Sequence, residues 1–306
     1  MSNILISGIE QGLIWAILVI GVYISFRILD IADLSIEGTF PLGACVACIL
    51  IFNGMNPFIA TFIAMISGFI GGLITGLLYT KLKIHPILAG IITMTGLYSI
   101  NLVILGLGSP TSPILATLTM KNDVFSMTSK LLLKLFSIEK YIANIISVIL
   151  VSLIFLLLVA SLIYWLFGTE IGMSVRATGS NPAMARAQGI NTNKMSIFGL
   201  MLGNGLIALS GALFAQDFGA SNIESGRGTI VIGLAAIIIG EVIFGKKTFK
   251  RSLIAIIIGT IIFFLIKATA IELKVDHYLN LLTAILIAFI LALPLIKSKK
   301  ARKKMR

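Results

Sequence analysis

Apolar runs of about 20 residues, the length that a helix needs to cross a bilayer, follow one another along almost the whole chain. Charged residues make up only 12% of the 306 residues, whereas soluble domains average about 25%. The sequence therefore predicts an all-α polytopic membrane bundle with broken helices that forms a single domain, residues 1–306. We expect about nine transmembrane segments, of which the second and the seventh are short: Ile4–Phe26, Gly38–Asn53, Pro57–Thr80, Pro86–Leu107, Ile142–Phe167, Met195–Ala215, Thr229–Gly245, Ser252–Ile271 and Tyr278–Ile296.

Basic residues lie mainly on one side of the predicted bundle. Cytoplasmic loops of membrane proteins carry an excess of Lys and Arg, so we place the basic tail, 297–306, inside the cell and the N-terminus outside. The first run lacks the basic leader and the Ala-x-Ala site of a cleavable signal peptide. These topology signals account for the net charge of +12, and no nucleic-acid partner is expected. On the same side as the tail lie Arg27, Lys81, Lys83, Arg176, Arg186, Lys194, Lys246, Lys247, Lys250 and Arg251.

The long connection 108–140 is the main outer loop of this topology. Its Ser109–Pro113 segment contains two prolines and breaks any helix. The segment from Ser129 to Lys140 alternates leucines with lysines in the pattern of an amphipathic helix, which we expect to lie along the outer interface. A continuation of the fifth span is the alternative.

A polar, glycine-punctuated segment, 172–191, separates two long apolar runs. Asn181 is a good N-cap, Pro182 suits the first helical position, and Gly189 is a natural left-handed stop. The pattern predicts a helix of about two turns. A short rigid helix that displays Arg186 at a membrane surface suits docking onto another protein. An ordinary connector between two spans is the alternative.

Polar residues also interrupt the apolar pattern from Arg27 to Thr39 and from Gln216 to Gly228. A charge at the bilayer centre costs about 2.5–3.5 kcal/mol on insertion scales, so such residues face a cavity or a partner. Both stretches contain an Asp, a Ser/Asn-Ile-Glu step and a Gly before a short span, and the topology starts them from opposite sides. Inverted repeats whose broken helices meet near the midplane are a recurring transporter design. The alternative is that both stretches are solvated loops.

The first of these stretches also carries signals for a helix start. Asp33 can cap the half-helix that follows, and Glu37 would then lie in its first turn, where a carboxylate is favourable. Small residues spaced by four, Gly68/Gly72/Gly76 and Gly199/Gly203, indicate helices that approach closely.

Motifs for covalent or metal chemistry are not evident. Cys45 and Cys48 lie among small apolar residues, which favours packing over redox chemistry. The two histidines lie far apart, so no metal site is expected. Gly240–Thr248 nearly matches a phosphate-binding loop, but Lys247 replaces the required Ser/Thr. We therefore expect no catalytic residue and no ATP site in this chain.

Three segments resemble the permease subunits of ABC importers of the branched-chain amino acid/ribose type. Gly172–Ile190, read as G-x-x-x-R-A-x-G-x-N-P-x-x-A-x-x-x-G-I, is similar to their cytoplasmic coupling segment. Asp33–Gly38 resembles the Asp-Leu-Ser-Val-Gly-like motif of ribose-type permeases, with Glu37 as an insertion. The sequence of this motif is most similar to that of tryptophan/tyrosine-type importers. Leu209–Leu213 before a Gly-rich span also fits. The resemblance extends from about residue 8 to residue 296.

The resemblance implies a plasma-membrane permease for a small organic solute, namely an amino acid, and the tryptophan/tyrosine-type branch implies an aromatic one. Its partners would be cytoplasmic ABC ATPase subunits that bind the ATP, an extracytoplasmic solute-binding protein, and a second permease copy in a homodimer. The coupling segment would be 168–194, with contacts to the ATPase from Arg176, Gly179, Asn181, Pro182, Ala183, Ala185, Arg186 and Gly189. The translocation path would be lined by Asp33, Ser35, Glu37, Thr39, Gln216, Asp217, Asn222 and Glu224.

The main rival hypothesis is an ion-coupled secondary transporter that uses Asp33, Glu37 and Glu224 as proton or cation sites. It predicts uptake without ATPase subunits. An intramembrane enzyme fits less well, because no nucleophile–base pair or metal ligand set is visible at membrane depth.

Overall fold

Every regular element that the computed structural model describes is helical; the described residues are 2–106, 122–136, 139–245 and 248–273. A π-helical turn, Ile24–Ile28, extends α1, and a 3₁₀ turn, Ile223–Gly226, precedes α10. The helices are α1 Ser2–Tyr23, α2 Ile36–Phe52, α3 Pro57–Thr80, α4 Pro86–Gly106, α5 Val124–Phe136, α6 Lys140–Leu166, α7 Glu170–Ser180, α8 Pro182–Ala187, α9 Thr192–Phe218, α10 Thr229–Phe244 and α11 Phe249–Glu272.

Within the described ranges, seven helical segments are long and apolar enough to cross a membrane: α1 with its π-helical turn, α3, α4, α6, α9, α10 with the 3₁₀ turn, and α11. α2 is apolar but shorter, with 17 residues. Eight of the predicted segments thus correspond to helices, and α3 begins and ends at the predicted residues. The ninth predicted segment, the basic tail and residues 108–121 of the outer loop lie outside the described residues.

The amphipathic helix of the outer loop is displaced from its predicted position. α5 begins at Val124, five residues before the predicted start, and ends at Phe136. Asp123 explains the early start, because its Oδ1 accepts a hydrogen bond from the Ser126 backbone N–H and so caps the first turn. α6 begins only at Lys140, so α5 is a separate helix and does not continue the fifth span.

Small residues bring the central helices into backbone contact. A Cβ atom placed on Gly72 of α3 would lie 2.3 Å from Leu200 O of α9, and one on Gly68 would lie 2.5 Å from Asn204 O. A Cβ placed on Gly203 of α9 would lie 3.0 Å from Gly21 O of α1. The predicted close packing at these glycines is confirmed.

The two ends of the bundle differ in what they contain. At one end, which we call the α8 end, the π-helical turn lies beside α7, and Arg27 forms a 2.6 Å ion pair with Glu241 of α10. At the other, the α5 end, Gln11 near the start of α1 donates to Asp217 near the end of α9 at 2.7 Å. α1 and α9 are therefore antiparallel neighbours.

The short helices α2 and α10 extend to opposite ends of the bundle. Cys45 and Cys48 of α2 are free, buried and packed with Leu105 at the end of α4. The other short helix, α10, ends near the α8 end through its Glu241. Their N-termini meet between the two ends, and this meeting point organises the polar centre described below.

Candidate functional site

The helix α8 forms as its capping residues predict. The Asn181 side chain accepts a hydrogen bond from the Met184 backbone N–H at 3.0 Å, and Pro182 occupies the first helical position. Gly189 takes a left-handed φ of +82°, which ends the helix. Ala185 is the buried residue of α8, and the rest of its surface is exposed.

The preceding helix, α7, fixes this exposed helix to the bundle through glycine contacts. A Cβ on Gly179 would lie 1.8 Å from Ile28 O, so only glycine allows α7 to lie against the π-helical turn. Arg176 is placed over the ring of Phe249, with 5.5 Å from Cζ to the ring centroid. This cation–π contact connects α7 to the start of α11.

A cleft of about 660 Å³ lies beside α8, between the α3–α4 turn and the α8–α9 turn. Arg186 Nε donates to Thr192 Oγ1 at 2.9 Å at its edge. Lys83 and His85 lie on the opposite wall. The surface around α8 is therefore basic, exposed and rigidly held, which suits a protein docking site.

The polar centre of the bundle begins at Asp33, which is fully buried. Its Oδ1 accepts from the Ser35 backbone N–H at 2.9 Å and from the Ser35 hydroxyl at 2.5 Å. Its Oδ2 accepts from Asn204 Nδ2 at 2.7 Å. Asp33 thus organises the turn before α2, but Ser35, two residues after the predicted cap Asp33, takes the N-cap position.

Glu37 connects the N-termini of the two short helices. It lies in the first turn of α2, as predicted, and its Oε1 accepts from the Gly228 backbone N–H at 3.0 Å. Gly228 is the N-cap of α10, where the helix dipole favours a carboxylate. A Cβ on Gly226 would lie 2.0 Å from Glu37 O, so the backbones of the two stretches are in contact.

A cavity of about 320 Å³ opens where this contact meets α4, and we call it the α2–α4 cavity. Among the predicted path residues, Glu37 and Glu224 line it. Glu224 forms a 2.6 Å ion pair with Arg227. The complete lining is Glu37, Gly38, Pro41, Met94, Thr95, Tyr98, Ser99, Asn101, Ile223, Glu224 and Arg227.

The other predicted path residues lie away from this cavity. Thr39 is buried and donates to Ser35 O at 3.0 Å. Gln216 is buried, donates to Thr61 Oγ1 at 2.7 Å and accepts from the Val124 backbone N–H at 3.1 Å. Asp217 lines a separate cavity at the α5 end, and Asn222 is an exposed cap of the 3₁₀ turn.

Several residues of the polar centre were not singled out from the sequence. Asn204 and Asn101 are fully buried amides inside long apolar helices, and Tyr98 and Arg227 line the α2–α4 cavity. The sequence does mark the two asparagines as candidates, because a polar side chain inside an apolar span requires a partner or a cavity.

Replacement of Asn204 by Leu should destabilise the protein by about 2 kcal/mol, because the buried Asp33 side chain loses a hydrogen-bond donor. The thermal unfolding midpoint of purified protein in detergent measures this. Asn193→Leu is the matched control, since Asn193 is exposed near the start of the same helix. Equal midpoints for the two variants would show that the Asp33 contact does not stabilise the bundle.

Comparison with known proteins identifies related permeases. The family described as "Branched-chain amino acid transport system / permease component" matches residues 4–293. A tyrosine transport system permease protein of Clostridioides difficile is 39% identical over 249 residues, which cover 81% of this chain and 76% of the relative. A ribose import permease protein of Escherichia coli is 25% identical over 238 residues, which cover 78% and 69%. No solved structure matches the chain.

Proposed function

The chain belongs to the permease family of branched-chain amino acid transport systems, and from this we propose that it imports an amino acid, with an aromatic one as the first candidate, as the membrane subunit of an ATP-driven importer. The supporting observation is the exposed helix α8, which is capped at both ends and held by glycine contacts. The relatives support an importer of small solutes, and the tyrosine permease supports an amino acid.

The proposed topology has nine spans, with the α8 end in the cytoplasm and the N-terminus outside. The charge distribution supports it: Lys81, Lys83, Arg186 and Lys194 cluster around α8, whereas at the α5 end the lysines of α5, Lys130 and Lys134, are offset by Glu10, Asp123 and Asp217. Positive charge marks the cytoplasmic side of membrane proteins. The short helices α2 and α10 then enter from opposite sides, as expected for broken helices in an inverted repeat.

ATPase subunits would dock around α8 and bind the ATP, and a solute-binding protein would deliver the solute at the α5 end. A second copy of the chain would complete the path. A second copy would close the α2–α4 cavity, where Thr95, Tyr98 and Ser99 of α4 are exposed although they lie within a span. Exposed polar side chains at membrane depth are unfavourable in lipid, so a cavity or a partner should cover them.

Mechanistically, closure of the ATPases would move the two copies of α8 and α7 together, and the bundles would convert this motion into alternating access. α7 contacts the backbone of the π-helical turn at Ile28. The chain following that turn leads through Asp33 to the α2–α4 cavity. This arrangement supports a direct mechanical route from the ATPase to the path.

Uptake of radiolabelled L-tyrosine, measured against a panel of other amino acids and D-ribose, tests this function. Proteoliposomes with the permease, its ATPase and its binding protein should take up an amino acid only when ATP is inside, and an ionophore should leave uptake unchanged. Collapse of uptake by the ionophore with ATP intact would instead support an ion-coupled transporter. Uptake of ribose alone would remove the amino-acid assignment.

A further inference from the structure

The wall of the α2–α4 cavity contains an acceptor that the bundle does not use. Asn101 is fully buried, and its Nδ2 donates to Gly38 O at 3.1 Å. Because that acceptor requires an N–H donor, the orientation of the amide is fixed and Oδ1 must be the remaining acceptor. Oδ1 has no hydrogen-bond partner among the described residues. Buried polar atoms of this kind are rare, and a ligand is one explanation for them.

Glu37 adds a second acceptor at the same wall. One of its oxygens accepts from Gly228 N–H. Within the described part of the chain, no donor forms a hydrogen bond with its other oxygen. Asn101 bonds to Gly38, the chain neighbour of Glu37, and both Glu37 and Asn101 line the cavity, so their unpaired acceptors belong to residues of one wall.

The charge of the cavity is negative overall. Glu37 and Glu224 contribute two carboxylates, and Arg227 contributes one guanidinium, which is paired with Glu224 at 2.6 Å. Glu37 is therefore the carboxylate without a cationic side chain beside it in the described ranges. A site with a free carboxylate and a free amide oxygen favours a ligand that carries a positive charge and several N–H donors.

The remaining lining combines apolar and aromatic side chains with the hydroxyls of Thr95 and Ser99. Met94, Pro41 and Tyr98 form the apolar and aromatic part of the wall, and the volume of about 320 Å³ falls in the range of small-molecule sites, about 300–1,000 Å³. We infer that the α2–α4 cavity binds the α-ammonium group of the transported amino acid through Glu37 and Asn101. This inference rests on the proposed function and specifies the solute chemistry that the permease itself recognises.

The charge preference of the cavity can be measured without any partner protein. A thiol introduced by Thr95→Cys lines the cavity and is exposed. Its reaction rates with an ethylammonium methanethiosulfonate and with the anionic ethylsulfonate reagent report the local preference, and the buried Cys45 and Cys48 give the background. Adding Glu37→Gln should lower the cation-to-anion rate ratio about tenfold. Adding Asn101→Leu should lower the cationic rate severalfold.

Glu139→Gln is the matched control, because Glu139 is exposed and lies before α6, outside the cavity. It should leave the ratio unchanged. The inference is overturned if Thr95→Cys reacts with neither reagent, or if Glu37→Gln and Glu139→Gln give the same ratio. Co-purification of the variants with the ATPase shows whether they still fold and assemble.

Transport assays test whether the charge preference of the cavity serves recognition of the transported solute. In the reconstituted importer, 3-(4-hydroxyphenyl)propanoate, which is tyrosine without its amino group, should not compete with L-tyrosine, and Glu37→Gln should reduce uptake at least about tenfold. If the Glu37→Gln and Asn101→Leu variants take up L-tyrosine at the wild-type rate, the binding site is contradicted and the importer function is not affected. A charge-selective cavity in a chain that never associates with an ATPase contradicts the importer function instead.

Discussion

The double variant Ala183→Trp, Arg186→Glu should abolish binding of the ATPase subunits while the protein still inserts into the membrane. Ala183 and Arg186 lie on the exposed surface of α8, which buries little against its own chain. A large side chain and a reversed charge at the centre of a docking surface each cost about 2 kcal/mol or more in binding, so the two together should reduce affinity about a thousandfold. Co-purification of a tagged ATPase from detergent extracts measures the loss.

Arg251→Glu is the control for charge reversal at the α8 end. Arg251 is exposed in the first turn of α11 and lies outside α7 and α8, so this variant should retain the ATPase. Recovery of normal amounts of ATPase with the double variant would show that α8 is not the docking site. The amount of each variant in the membrane fraction separates loss of binding from loss of insertion.

A single methyl group at Gly43 should cost about 3 kcal/mol or more of folding stability. A Cβ at this position would lie 2.0 Å from Ala208 O and 2.6 Å from Ala208 Cα, and both are backbone atoms that cannot rotate away. α2 and α9 would have to separate, which is the most costly form of overpacking. The thermal unfolding midpoint of Gly43→Ala, followed by the fluorescence of the two tryptophans, should fall by many degrees.

The same substitution at Gly96 gives the control. A Cβ there meets nothing within 4 Å, and alanine favours a helix over glycine by about 1 kcal/mol. Gly96→Ala should therefore be neutral or slightly stabilising. Equal stability of the two variants would contradict the close contact between α2 and α9.

Much of the fold follows from local signals in the sequence. Span lengths follow from the apolar runs, and the start and stop of α8 follow from Asn181, Pro182 and Gly189. The glycine spacings predicted close helix packing, although they could not say which helices would meet. In the structure, Gly68 and Gly72 of α3 face α9.

The candidate site required contacts between distant parts of the chain, which periodicity does not specify. Glu37 meets Gly228, and Asp33 meets Asn204. Each pair joins residues of the two polar stretches or their neighbouring spans, so the stretches could be singled out but their partners could not. Glu37 and Glu224 reach the cavity, whereas Gln216 became a buried partner of Thr61. Which polar residue faces a cavity depends on helix rotation, and that is set by tertiary packing.

The contact of α7 with the π-helical turn determines how much backbone separates α7 from Glu37 in the α2–α4 cavity. Gly179 contacts Ile28, and Glu37 follows only nine positions further along the same backbone. Between them, Asp30 has a φ of +55°, a left-handed conformation that residues other than glycine rarely adopt. We therefore expect a shift of α7 to reach Glu37 through this short length of backbone, with Asp30 as its strained position and no relay of side chains across the bundle.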